Sequence, residues 1–390
     1  MNQSQILKLL PGIETLPPPQ KEELLKLSMK MCSLSFYATF HKVEEGPVVR
    51  TYFFLPYADL QLAKILSKEE DLAMALGVES ILITRDLGYI SIAVPRRDRE
   101  IIPFDQCLYQ MMNSPELKEM TLPLLMGKNT KGEPLYLDLA TQPHLLIAGA
   151  TGAGKSIFTS QLILSLSLLR SPGELEFILA DTKQLDLVLF SSLPHVREVL
   201  TDIAAIRTHL ELLLTEVRRR VTLMSGRCRN AVEWNSLMPA PQRLRHKVLI
   251  IDEFADVVAA DRSMLSSIEK KYRPDSIEAL VKRLAQISRA AGVHIILATQ
   301  RPSVKIIEGD LKANFPARVA FKLVSMQDSR VILDENGAEK LLGRGDYLYK
   351  TSTSDVIKRA HSSFVSMGDI QLMISQHDML RMQFSESEGD

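Results

Sequence analysis

Short unbroken apolar runs recur along the second half of this chain, each followed by a turn and then a segment of helical length. Leu145–Ala148, Glu176–Ala180, Val248–Ile251, Val293–Ala298 and Arg318–Leu323 have the length and β-branched content of strands buried on both faces. Between them, Ile157–Leu169 is an almost continuous apolar segment. Ser276–Ala291 places Leu280, Leu284, Ile287 and Ala291 on one helical face and Lys282, Gln286 and Arg289 on the other, with Gly292 as its stop. Strand, loop and helix in alternation predict an α/β fold with a mostly parallel sheet covered on both faces, and ligands at the strand carboxyl ends. This pattern fills residues 113–368.

The first part of the chain has a different rhythm. Val48, Thr51, Phe53 and Leu55 suggest a strand, Leu60–Leu76 a helix ended by Gly77, and Ile81–Thr84 with Tyr89–Val94 a hairpin around Arg85-Asp86-Leu87-Gly88. Residues 46–112 therefore read as a small α/β unit. Before them, Pro17-Pro18-Pro19 leads into a helical stretch, Gln20–Tyr37, carrying Leu24, Leu25, Leu27, Met29 and Met31. Residues 1–45 are expected to be an amphipathic appendage. Residues 369–390, closing on Ser-Glu-Ser-Glu-Gly-Asp, are expected to form a frayed tail.

A chain of 390 residues, 46% hydrophobic and 24% charged, is long enough for two or three ordinary globular domains. No apolar run approaches the eighteen or so residues of a membrane span. Met1-Asn-Gln-Ser-Gln lacks the basic flank of a secretory signal. Cys32, Cys107 and Cys228 are widely spaced and odd in number, which suggests reduced thiols and a cytoplasmic location. Eight scattered histidines show no metal-ligand spacing. The 47 basic and 47 acidic residues cancel, yet Arg301–Arg330 holds six basic residues against Glu308, Asp310 and Asp328. A charge total does not exclude a phosphate-rich partner when a local patch is positive.

The chemistry begins at Gly149-Ala150-Thr151-Gly152-Ala153-Gly154-Lys155-Ser156, directly after the first parallel strand and before an apolar helix. Glycines at that spacing let backbone N–H groups converge on phosphate oxygens at the positive end of a helix dipole. Lys155 would reach the β/γ-phosphates and Ser156 would hold Mg²⁺, so the chain is expected to bind ATP or GTP. Val248–Ile251 ends in Asp252-Glu253, a pair costly at a buried strand end unless a cation or a reaction needs it. Asp252 is assigned to Mg²⁺ and Glu253 to the attacking water, which favours hydrolysis. Arg289, in the expected last turn of its helix, either complements the helix dipole or reaches a neighbouring subunit's γ-phosphate.

Arg283–Ser303, which includes Ala-Thr-Gln300-Arg-Pro-Ser, resembles the motor core of the FtsK/SpoIIIE DNA translocases. So do Leu311–Phe321, Asp328–Asp334 and Gly337–Tyr349, and upstream Asp181-Thr-Lys183, Pro194-His195 and Thr201-Asp202. Gly46-Pro47-Val48-Val49, Asp71-Leu72-Ala73 and Val94-Pro95 resemble the family's accessory motor domain, so the similarity spans about residues 46–366. The resemblance implies a RecA-like P-loop ATPase using ATP and Mg²⁺, assembled as a homo-hexamer that pulls double-stranded DNA through its pore. It implies that Lys155, Ser156, Asp252 and Glu253 keep the roles given above. Gln300 would be a polar sensor of the γ-phosphate, and Arg289 the finger acting in trans. Arg301, Lys312 and Arg330 would be pore contacts to DNA phosphates, giving traction without sequence readout.

Met326 stands where such motors often carry a second pore lysine, and Asp261–Ser276 reads as an added surface excursion. Neither a membrane-spanning amino-terminal region nor a winged-helix module after residue 366 is expected in this chain. Two other classes share parts of the pattern. A coupling ATPase for conjugation or protein secretion has the same core, and a nucleotide-gated scaffold would bind without translocating.

Overall fold

A computed structural model describes residues 6–57, 62–86, 88–307, 309–377 and 379–380. Leu60 and Leu87 of the expected helix and hairpin, and the tail from 381 onward, lie outside the described residues. The chain divides into two compact units, one running to Ile102 with 128–133 and 340–342, the other made of the remainder.

The first unit is built on an antiparallel sheet of β1 (Ala38–Glu45), β2 (Val49–Pro56), β3 (Leu82–Asp86) and β4 (Tyr89–Pro95), in the order β1-β2-β4-β3. The expected hairpin is present, with Leu82 opposite Ala93 and Asp86 opposite Tyr89. The helix Pro18–Ser33 starts at a proline, whose missing N–H is no loss in a first turn. It is not an appendage. Leu24, Leu27 and Met31 share one core with Phe40, Tyr52, Phe54 and Ile92. Glu23 accepts a hydrogen bond from the Tyr52 hydroxyl at 2.8 Å and pairs with Arg50 at 3.0 Å. Periodicity in the sequence shows which helix face is apolar but not what covers it, so the expected boundary at residue 45 cuts through a core. The expected Leu60–Leu76 helix is two short ones, Leu62–Leu66 and Glu69–Leu76, broken where Lys68 leaves helical geometry (ψ 14°). Gly77 closes the second at φ 68°, as its position suggested.

The second unit carries the expected parallel sheet. Its strands are β5 (Pro123–Asn129), β6 (Pro134–Asp138), β7 (His144–Ala148), β8 (Leu175–Ala180), β9 (Val196–Leu200), β10 (His246–Ile251), β11 (Val293–Thr299), β12 (Ala317–Phe321), β13 (Asp346–Thr351) and β14 (Ser354–His361). The order is β6-β5-β14-β13-β12-β7-β11-β10-β8-β9. From β12 to β9 every pair is parallel. β13 and β14 then run antiparallel, as a hairpin joined to β12. β7, β8, β10, β11 and β12 are buried along their whole length, apart from the half-buried Lys247, which is why they read as solid apolar runs. β9 and the hairpin carry no such run because their residues are mixed, as in Ser354-Asp-Val-Ile-Lys-Arg-Ala-His361. Asp261 is not part of a surface excursion. It lies in the helix Phe254–Ser266, is 1% exposed, pairs with Arg207 and accepts the Ile277 N–H at 2.9 Å. No helix among the described residues is long and apolar enough to cross a membrane.

Candidate nucleotide site

Gly149–Ser156 leaves the carboxyl end of β7 and enters the helix Lys155–Leu169, placing the loop at the sheet edge where strands β7, β10 and β11 end. Its shape is fixed by backbone clips from three sides. Gly149 N–H donates to Thr299 O at 3.1 Å, Ala150 N–H to Lys322 O at 2.9 Å, and Gly345 N–H to Ala153 O at 2.9 Å. Gly154 caps the helix at φ 116°, and a Cβ there would lie 2.7 Å from the Gly345 nitrogen. Among the described residues, nothing accepts from the N–H groups of Gly152, Gly154, Lys155 or Ser156. Four N–H groups without an acceptor at a helix N-terminus are the donors that a bound phosphate would need.

Lys155, 3% exposed, places its ammonium on the carboxylate of Asp252 at the end of β10. The Ser156 hydroxyl donates to Asp186 Oδ2 at 2.5 Å. Asp186 was not foreseen, because it sits in a loop after β8 whose path no periodicity reveals. That loop is wound around Asp181, 1% exposed, whose carboxylate accepts five backbone N–H groups. Lys183 and Gln184 donate to Oδ1 at 3.2 and 2.9 Å. Leu185, Asp186 and Leu187 donate to Oδ2 at 3.0, 3.0 and 2.9 Å. The Asp181-Thr-Lys183 match was the only sequence signal for it, and it carried no role.

Glu253 occupies the left-handed region at φ 49°, ψ 53° and is 2% exposed. Its Oε1 accepts from the Thr299 hydroxyl and the Gln300 N–H, both at 3.0 Å. The Gln300 side-chain oxygen in turn accepts from the Thr151 hydroxyl of the phosphate loop at 2.7 Å. A continuous polar chain therefore joins Glu253, Gln300 and the loop. Lys183 bridges the outer side, 2.8 Å from Asp256 and 3.7 Å from Glu253 Oε2. The hydrogen bond to Asp256 holds its ammonium above the usual lysine range.

The other expected residues fall elsewhere. The helix ends at Ile287, so Arg289 is not in its last turn but in the exposed turn that follows. Its charge adds to the burial that disfavours a proton on His144. That turn feeds the amino end of β11, across the sheet from the phosphate loop. Arg301, exposed, directly follows Gln300, and Arg330 is exposed on the helix Met326–Leu333. Lys312 is engaged: its ammonium lies 2.6 Å from Asp334, whose carboxylate also receives Arg318 at 2.7 Å and Lys350 at 2.9 Å. Burial opposes the Asp334 charge, but the hydrogen bonds from Lys312, Lys350 and Arg318 hold it below the usual carboxylate range. Among the described residues no group of three or more His, Cys, Asp or Glu could hold a metal by itself. The oxygens of Ser156, Asp252 and Asp186 suit Mg²⁺, which takes one or two carboxylates and completes its shell from phosphates and water.

Residues 108–304 match the model of the FtsK/SpoIIIE family, and residues 15–96 match that of the FtsK alpha domain. The chain belongs to the FtsK/SpoIIIE family. The alpha-domain match takes in the helix Pro18–Ser33, in keeping with its burial in that unit's core. The DNA translocase FtsK of Treponema pallidum is 37% identical over 342 residues, covering 85% of this chain and 41% of that protein. The DNA translocase FtsK of Haemophilus influenzae is 35% identical, covering 94% of this chain and 72% of that one. The chain thus spans between about two fifths and about three quarters of these relatives. Among solved structures, the pCW3 conjugation coupling protein TcpA, in a monomer form with ATPγS, aligns at a TM-score of 0.61 with 19% identity. That alignment covers 92% of this chain and 99% of TcpA. The cytoplasmic domain of the Thermomonospora curvata type VII secretion ATPase EccC aligns at 0.57 with 21% identity, over 71% of this chain and 34% of that one. At such identities the two share the fold with this FtsK/SpoIIIE-family chain, and no more.

Proposed function

We propose that this chain is the motor of a double-stranded DNA translocase, hydrolysing ATP at subunit boundaries of a cytoplasmic homo-hexameric ring. The observation that carries the reading is the polar chain from Thr151 through Gln300 to Glu253, which runs on into the exposed Arg301. A change at the phosphate loop reaches the water-activating carboxylate and a DNA-facing arginine through consecutive residues. The free N–H groups of the glycine loop bind the phosphates, and Lys155 exchanges its partner Asp252 for phosphate oxygens. Ser156 and Asp252 would hold Mg²⁺, whose chemistry there would be to neutralise phosphate charge. Glu253, its Oε1 already fixed by two donors, takes a proton from the attacking water. Arg301, Lys312 and Arg330 meet DNA phosphates, Lys312 by leaving Asp334.

The decisive experiment measures ATP turnover with covalently closed duplex, with single-stranded DNA and without DNA, and then displacement of a triplex strand from the duplex. Stimulation by closed duplex with displacement is expected. Stimulation by single strands alone would favour conjugative coupling, and indifference to all DNA would favour a secretion ATPase or a scaffold. In Glu253→Gln, ATP and DNA binding should persist while turnover falls by roughly 10²-fold or more. An unchanged rate would remove Glu253 from the water.

A further inference from the structure

We infer that Asp186 is a positioning residue for the divalent cation, orienting the Ser156 hydroxyl and accepting from a metal-bound water. The inference rests on the reading that the glycine loop holds ATP with Mg²⁺. A serine that ligates a metal gives up a lone pair and still carries one proton, which needs an acceptor inside the site. Asp252, once Lys155 turns to the phosphates, is assigned to the cation itself, so the acceptor comes from the loop after β8. Asp186 Oδ2 accepts the hydrogen bond donated by the Ser156 hydroxyl at 2.5 Å, in the short range of charge-assisted bonds. Asp186 Oδ1 has no partner among the described residues and is left to accept from water.

The placement is built into the loop rather than left to side-chain chance. Five N–H groups on Asp181 fix residues 183–187, the Asp186 N–H among them. Gln184 takes the left-handed conformation at φ 55° to make that winding possible. A carboxylate fixed by its own loop and bonded to a metal-ligating hydroxyl is the arrangement that raises metal affinity from outside the coordination sphere. Mg²⁺ keeps several waters, so an acceptor for one of them has a place there.

The test is titration of a fluorescent ATP analogue onto the full chain at graded Mg²⁺ and in EDTA. For Asp186→Asn, the Mg²⁺ concentration at half-maximal binding should rise roughly 10- to 100-fold. Binding in EDTA should be unchanged, and saturating Mg²⁺ should restore the wild-type plateau. Mn²⁺ bound with ATP should give an altered electron paramagnetic resonance spectrum. Asp181→Asn should shift the Mg²⁺ midpoint the same way. In a Ser156→Ala background, Asp186→Asn should add no further shift, a readout that survives weaker folding of either single variant. An unmoved midpoint, an equal loss of binding with and without metal, or additive effects in the double variant would each overturn the inference. Wild-type protein that binds no ATP, or binds it without regard to Mg²⁺, would overturn the underlying reading as well.

Discussion

Gly154 shows how little freedom the phosphate loop has. At φ 116° it lies where L-side chains rarely go, and the nearest atoms to an added Cβ belong to the Gly345 backbone, at 2.7 and 3.0 Å. Backbone cannot rotate aside as a side chain can. Gly154→Ala should therefore destabilise the fold by roughly 1–3 kcal/mol, lowering the thermal midpoint, and should abolish ATP-analogue binding. A variant with wild-type nucleotide affinity would mean that the Gly345 clip is dispensable. At this scale the sequence was most readable where spacing dictates geometry: the glycine loop and Asp252-Glu253 declare themselves. Asp186 did not, because its role depends on a loop wound about Asp181, which no local pattern encodes. The resemblance marked Lys312 as a pore contact, and only the tertiary structure reveals Asp334 holding it.

Among the elements, the amino ends of three neighbouring strands carry an unusual burden. His144 begins β7, His246 begins β10 and His294 is second in β11, at 1%, 5% and 1% exposure. His246 Nδ1 and His294 Nε2 lie 3.4 Å apart, while His144 Nδ1 accepts the Ile295 N–H at 3.1 Å. Burial pushes His144 and His246 down to about 4, and His294 well below its usual value. In the unfolded chain these imidazoles take protons near pH 6.5, which the folded ones refuse. The unfolded state then binds more protons, so stability falls as pH drops from about 6.5 to about 4, by roughly 1.4 kcal/mol per pH unit for each histidine. Urea denaturation at pH 7, 5.5 and 4.5 should show this slope, and a flat profile would mean the three are not buried neutral. Loss from Glu216, held down to about 2 by hydrogen bonds from Arg219 and Arg220, begins as the pH falls below the usual carboxylate range and runs down to about 2. Strands this deeply buried were legible as apolar runs. The β13–β14 hairpin was not, since it owes its place to pairing with β12 rather than to its own residues.

For the molecule as a whole, the proposed ring makes a demand on the position of Arg289. It precedes the amino end of β11, and the seven residues of that strand separate it from Thr299 beside the phosphate loop. At the rise of a strand that is roughly 20 Å, beyond the reach of an arginine within its own chain. In the proposed ring, an exposed cation so far from the glycine loop of its own chain would serve the next subunit's nucleotide. Arg289→Ala should keep ATP-analogue affinity within about twofold and lose turnover, and mixing it with wild type should depress the rate more steeply than dilution does. Loss of nucleotide binding by the variant alone would place Arg289 in its own site. Family membership was legible from the 283–349 stretch because that region joins a buried strand, the Ala-Thr-Gln300-Arg-Pro-Ser run and basic loops in fixed order.

The burial of the helix Pro18–Ser33 among Phe40, Tyr52, Phe54 and Ile92 fixes where the protein can be cut. A recombinant fragment begun at residue 46 would discard both this helix and the edge strand β1, uncovering aromatic surface that water does not tolerate. Such a fragment belongs in inclusion bodies, whereas one begun ahead of Leu10 and Ile13, which seal the same cluster, keeps its interior dry.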